Sequence, residues 1–133
     1  MAAKPHTAAR ALAKAVAEVA SLPLRNCRME AAAAPAGGGK IAVALADAET
    51  GYVAYCGVCR DPGGGDGLAE GPAKLVFEGL AEAGLKPAAI ETADAGLAAF
   101  LSALCAAALP GVEVREGKCE AARAALAKHG MAE

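Results

Sequence analysis

Residues 41–46 read Ile-Ala-Val-Ala-Leu-Ala, and this alternation constrains the fold more than any other feature. Successive side chains on a strand point to opposite faces, so Ile41, Val43 and Leu45 fall on one face and Ala42, Ala44 and Ala46 on the other. The segment Asp47-Ala48-Glu49-Thr50-Gly51 supplies a short turn, with glycine where φ must be positive. Tyr52 to Cys59 then reads as the returning strand, making Ile41–Cys59 a hairpin.

What packs against this hairpin must be small. Of 133 residues 39 are alanine, and Leu, Ile, Val and Phe together number 25, so the hydrophobic fraction of 56% overstates the core. A formal net charge of -2 is too low to hold such a chain open by self-repulsion. One folded domain with a modest core is expected. No charge-free apolar run reaches the roughly 18 residues of a membrane span. The 13 basic residues are scattered among 15 acidic ones, and there are two Tyr, two Phe and no Trp. That composition offers neither a clustered phosphate footprint nor a base-stacking platform. Neither nucleic acid nor a membrane is expected as a partner. Five cysteines without a secretory signal indicate a reducing, cytoplasmic setting.

Along the chain, Thr7 is placed to cap a first helix ending near Ala20, with Leu12, Val16 and Val19 on one face. Pro23 closes this N-terminal extension of residues 1–23; the α/β domain is assigned to 24–133. Lys4, Arg10, Lys14 and Arg25 against Glu18 suit an amphipathic helix, with organelle import through residues 1–25 as the alternative. Leu24–Ala31 reads as an edge strand and Ala34–Gly39 as a loop. Asp61–Gly71, rich in glycine, is a second loop. Pro72 opens a helix that Gly84 stops. A strand at Ala88–Thr92, a helix at Ala95–Leu109, a strand around Val112 and Val114, and a helix at Glu120–His129 follow. The order is a helix and then β-β-β-α-β-α-β-α. The last strands are expected parallel, because helices separate them.

This order resembles the ribonuclease-H-like fold over roughly Leu24–Gly130. Lys40–Glu116 is also similar to an uncharacterised bacterial and algal domain family. The similarity lies in the turn Ala46-Asp47-Ala48-Glu49-Thr50-Gly51-Tyr52-Val53, the helix end Gly84-Leu85-Lys86-Pro87, the strand exit Asp94-Ala95-Gly96-Leu97-Ala98, and Gly111-Val112-Glu113-Val114. The resemblance implies an α/β fold with a mixed sheet and no particular activity.

A nuclease of ribonuclease-H-like type needs carboxylates converging on two divalent metals, which activate water and stabilise the leaving oxygen. The resemblance would assign Glu78 on the first crossover helix, Asp94 after the fourth strand, and Glu120 on the last helix. The first strand has no Asp, Glu30 is placed at its far end, and Asp47 sits at a hairpin turn. Asp94 equally suits an N-cap. Cys56-Gly57-Val58-Cys59 is a lone C-x-x-C, a pattern used by zinc and redox sites. Residues three apart on a strand point to opposite faces, however, and no helix follows. Cys27, Cys119, His6 and His129 are isolated. Gly37-Gly38-Gly39-Lys40 and Gly63–Gly67 lack the frame of a phosphate loop and read as linkers. His129 suits a helix C-terminus. The expected protein is a structural or protein-interaction module without catalysis or cofactor, binding another protein or itself. The alternatives are a metal-dependent nuclease (Glu78, Asp94, Glu120) and a zinc module (Cys56, Cys59).

Overall fold

The computed structural model describes residues 3–35, 38–60 and 70–128. Among them are α1 (Ala3–Ala20), β1 (Leu24–Pro35), β2 (Lys40–Asp47), β3 (Val53–Arg60), α2 (Glu70–Ala83), β4 (Lys86–Thr92), α3 (Ala95–Ala108), β5 (Glu113–Glu116) and α4 (Glu120–Lys128). The strands form one mixed sheet in the order β3-β2-β1-β4-β5. The hairpin and β1 are antiparallel, whereas β4 runs parallel to β1 and β5 parallel to β4. The element order is the one expected. No helix among the described residues is long and apolar enough to cross a membrane.

The alternation at 41–46 divides the core in two. Val43 and Leu45 join Met29, Ile90, Val76, Phe77, Leu80 and Leu101 under α1, α2 and α3. Ala42, Ala44 and Ala46 meet Ala122, Ala125 and Leu126 of α4 on the opposite face. Full burial of a large side chain is worth about 1.5–3 kcal/mol, and a methyl group about 0.8 kcal/mol. The three-helix face therefore carries most of the apolar stabilisation. Among the described residues the cluster under α4 includes none of β5, and beyond it the same face continues through Arg28 of β1, Ala89 and Glu91 of β4, and Glu113 and Arg115 of β5. This stretch is charged, with Arg115 donating to Glu113 at 2.7 Å.

Several boundaries differ from expectation. Leu24–Ala31 is not an edge strand: β1 extends to Pro35 and is central, paired with both β2 and β4. The run Ala31–Ala34 gives no clear polar/apolar period, so its strand character emerges only from its neighbours. Irregular register between Arg25 and Arg28 also breaks the alternation at the start of β1. Thr7 does not cap α1, which begins at Ala3 and includes His6. Pro5 is tolerated because the first helical N–H groups have no intrahelical partner. The helix α2 starts at Glu70, inside the expected loop, and β4 starts at Lys86. Gly63–Gly67 and His129 lie outside the described residues.

The first helix docks on the core: Leu12, Val16 and Val19 are buried. Lys86 Nζ donates to the carbonyl of Ala20 at 3.0 Å, placing a cation at the C-terminus of α1. Gly84, at φ 68, ends α2, with its N–H on Ala81 and that of Leu85 on Leu80.

The helix α2 approaches the hairpin closely at Gly79. A β-carbon there would stand 2.6 Å from Leu45 Cδ1 and 2.7 Å from the Tyr55 ring. Gly79→Ala should therefore lower stability by about 1–3 kcal/mol in urea unfolding, despite alanine's better helix propensity. A neutral or stabilising result would contradict this packing.

Candidate functional site

A polar, open cleft of roughly 480 Å³ lies where the hairpin turn meets the start of α4. Glu30, Glu49, Glu91 and Glu120 line it together with Lys118. Glu30 and Glu91 are register partners on β1 and β4, so parallel pairing brings two acids side by side. Glu30 is in mid-strand, not at the far end expected for it, because β1 continues through the alanine run.

Glu30 is only 8% exposed. Its Oε1 accepts from the N–H groups of Ala121 at 2.9 Å and Ala122 at 3.1 Å. These are the second and third residues of α4, the donors that an N-cap side chain normally satisfies. The local cap residue, Cys119, has φ 55, and its thiol donates instead to the carbonyl of Glu91 at 3.3 Å. A carboxylate from the central strand thus replaces the missing cap and meets the positive end of the helix. Arg28 Nε lies 3.2 Å from Glu91 Oε2. It lacks hydrogen-bond alignment, so the pair is an ion contact.

The three carboxylates assigned by the nuclease resemblance do not share this cleft. Glu120 lines it. Asp94 caps α3, accepting from the Leu97 N–H at 2.9 Å, and borders a separate cleft with Ala32–Ala34, Thr92 and Arg123. Glu78 lies on α2 beside Lys74, 3.8 Å away. Asp47 accepts from the N–H groups of Thr50 and, next in effect, Glu49, which hold its carboxyl below the ordinary aspartate value. It fixes the turn with Gly51, whose φ is 76. Among the described residues no group of three or more His, Cys, Asp or Glu could hold a metal ion.

Cys56 packs with the alanine cluster and Cys59 with the larger one, on the two faces of β3. Burial raises the Cys56 thiol, and burial followed by the charge of Asp47 raises that of Cys27. Burial pushes Cys105 up to about 11. Burial, and next the charge of Glu30, push Cys119 up to about 11. None of these four environments activates a thiolate.

Sequence reasoning missed Glu91 and misplaced Glu30. The available signal was parity: Arg28, Glu30 and Ala32 share one face once β1 is extended. Compared with known proteins, the chain matches no family model, no curated protein and no solved structure.

Glu30→Ala should cost about 1–3 kcal/mol, with the amides of α4 losing exchange protection first. Glu78→Ala should stay within about 0.5 kcal/mol, since its one ion pair, to half-buried Lys74, is long at 3.8 Å and reached by solvent. Equal effects would contradict the capping role. In thiol labelling at pH 8, Cys105 and Cys119 should react only on unfolding. Their raised folded pKa values keep this stability below the ordinary thiol value of 9.0 and remove it as pH rises toward about 11. Rapid native labelling of either would contradict their burial.

Proposed function

We propose that this chain is a non-catalytic α/β module of ribonuclease-H-like arrangement that works through protein association. The observation that carries the reading is the Glu30 carboxylate, in the central strand where such a nuclease would keep a metal ligand, bonded to the N-terminus of α4. Glu91 is similarly paired with Arg28 and Asp94 with the start of α3. The strand order β3-β2-β1-β4-β5 supports the arrangement. Free thiols at Cys27, Cys56, Cys105 and Cys119 suit a reducing, cytoplasmic setting.

One observation favours a second reading. Glu120, one of the three acids of the metal-dependent nuclease reading (Glu78, Asp94, Glu120), lines the acidic cleft with Glu30 and Glu91, although among the described residues no three such groups stand close enough to hold a metal ion. Incubation of the full chain with RNA and DNA in Mg²⁺ or Mn²⁺ distinguishes the two. The expected result is no cleavage above a Glu120→Gln control. Metal-dependent cleavage abolished by Glu120→Gln would establish the nuclease and overturn the module. Stoichiometric zinc lost on Cys56→Ser would instead favour the zinc reading. For Asp94, replacement by Ala should cost about 1 kcal/mol and by Asn almost nothing, because Asn caps as well as Asp. Equal damage by both would contradict a capping role.

A further inference from the structure

We propose that the cleft at the carboxyl ends of β1 and β4 binds a free α-amino acid with an aliphatic side chain. The proposal goes beyond the association reading and does not depend on it. The pairing of β1 with β4 ends at Glu30↔Glu91, whereas its pairing with β2 continues to Pro35↔Ile41. The second half of a central strand therefore has an open side. The carbonyl of Arg28 accepts from the Ala48 N–H, so Arg28, Glu30, Ala32 and Ala34 bond to β2. The N–H and C=O of Ala33 then face the opening left where β4 stops. A cleft of roughly 450 Å³ fills that opening, bounded by Ala32–Ala34, Thr92, Asp94 and Arg123. Clefts beyond the carboxyl ends of parallel strands, where successive helices leave for opposite faces, are the usual ligand sites of open α/β sheets. Here α3 leaves β4 for the three-helix face and α4 leaves β5 for the alanine face.

The polar groups around the cleft select the ligand. Arg123, on α4, makes no ion pair or side-chain hydrogen bond among the described residues. Asp94, at the start of α3, accepts from the Leu97 N–H through Oδ1, and no cation among the described residues stands against it. Thr92 is fully buried; its oxygen accepts from the Asp94 N–H at 3.4 Å, and its O–H has no acceptor among the described residues. Buried hydroxyl donors ordinarily find one. A cation and an anion thus border one cleft without meeting each other. A zwitterion answers both: its carboxylate takes the Arg123 guanidinium, and its ammonium the Asp94 carboxylate and the Ala33 carbonyl. Ala32, Ala34 and Leu126 offer apolar surface to its side chain. A peptide carboxyl terminus would leave Asp94 unmatched, and Asp94 would repel a phosphate.

Titration of the full chain with L-leucine, followed by backbone amide resonances, tests the proposal. L-Leucine should shift Ala33, Ala93 and Arg123 saturably, with a dissociation constant of about 1 mM or below. N-acetyl-L-leucine lacks the ammonium and L-leucinamide the carboxylate; each should bind at least about 10-fold more weakly. Asp94→Asn removes the charge but keeps a capping side chain, and Arg123→Gln alters an exposed helix position. Each should weaken L-leucine binding at least about 10-fold, with the thermal midpoint of the free protein unchanged. No saturable shift by about 20 mM L-leucine overturns the proposal. Equal affinity for the three compounds overturns it too, as does full affinity in either variant.

Discussion

The contact between Glu30 and the first turn of α4 is the interaction on which one side of the molecule depends. The sheet is unequally served. Its α1–α3 face buries Phe77, Met29, Leu45, Leu80, Ile90 and Leu101, whereas the other offers α4 chiefly methyl groups and Leu126. A nine-residue helix is too short to be stable alone. With little apolar area to hold it, α4 needs its orphan N–H groups satisfied. Cys119 does not satisfy them, so a buried carboxylate from β1 does. Sheet centre and final helix are thereby joined by hydrogen bonds as well as packing.

That arrangement explains why an acidic cleft coexists with a structural reading. A catalytic carboxylate must be able to turn its oxygens toward metal or water. Glu30 is fixed by two backbone donors, Glu91 stands against Arg28, and Asp94 is occupied at α3. Glu30 and Asp94 terminate helices, and Glu78, Glu91 and Glu113 stand against cations.

Much of this was legible in the chain. Ile41, Val43 and Leu45 against three alanines announced the hairpin and its two faces, because large and small residues alternate without exception. Asp94 before a helix, Gly84 after one and Gly51 in the turn act through local backbone geometry, which spacing alone reveals. Ala31–Ala34 was opaque, since alanine suits helix, strand and loop alike, and β1 was consequently read too short and too near the edge. That error moved Glu30 from the middle of the sheet to its margin. Its capping role spans 91 residues, a separation no local pattern encodes. Glu91 escaped notice for the same reason, as its neighbour is defined only by parallel pairing of β1 with β4.

The central claim is that Glu30 serves as the cap of α4 and not as a metal ligand. Titration with Mn²⁺ monitored by backbone amide resonances tests it directly, because a bound paramagnetic ion broadens nearby signals selectively. The account predicts that Glu30, Ala121 and Ala122 retain their line widths relative to remote residues such as Val76. Selective broadening of those three at low Mn²⁺ would contradict it.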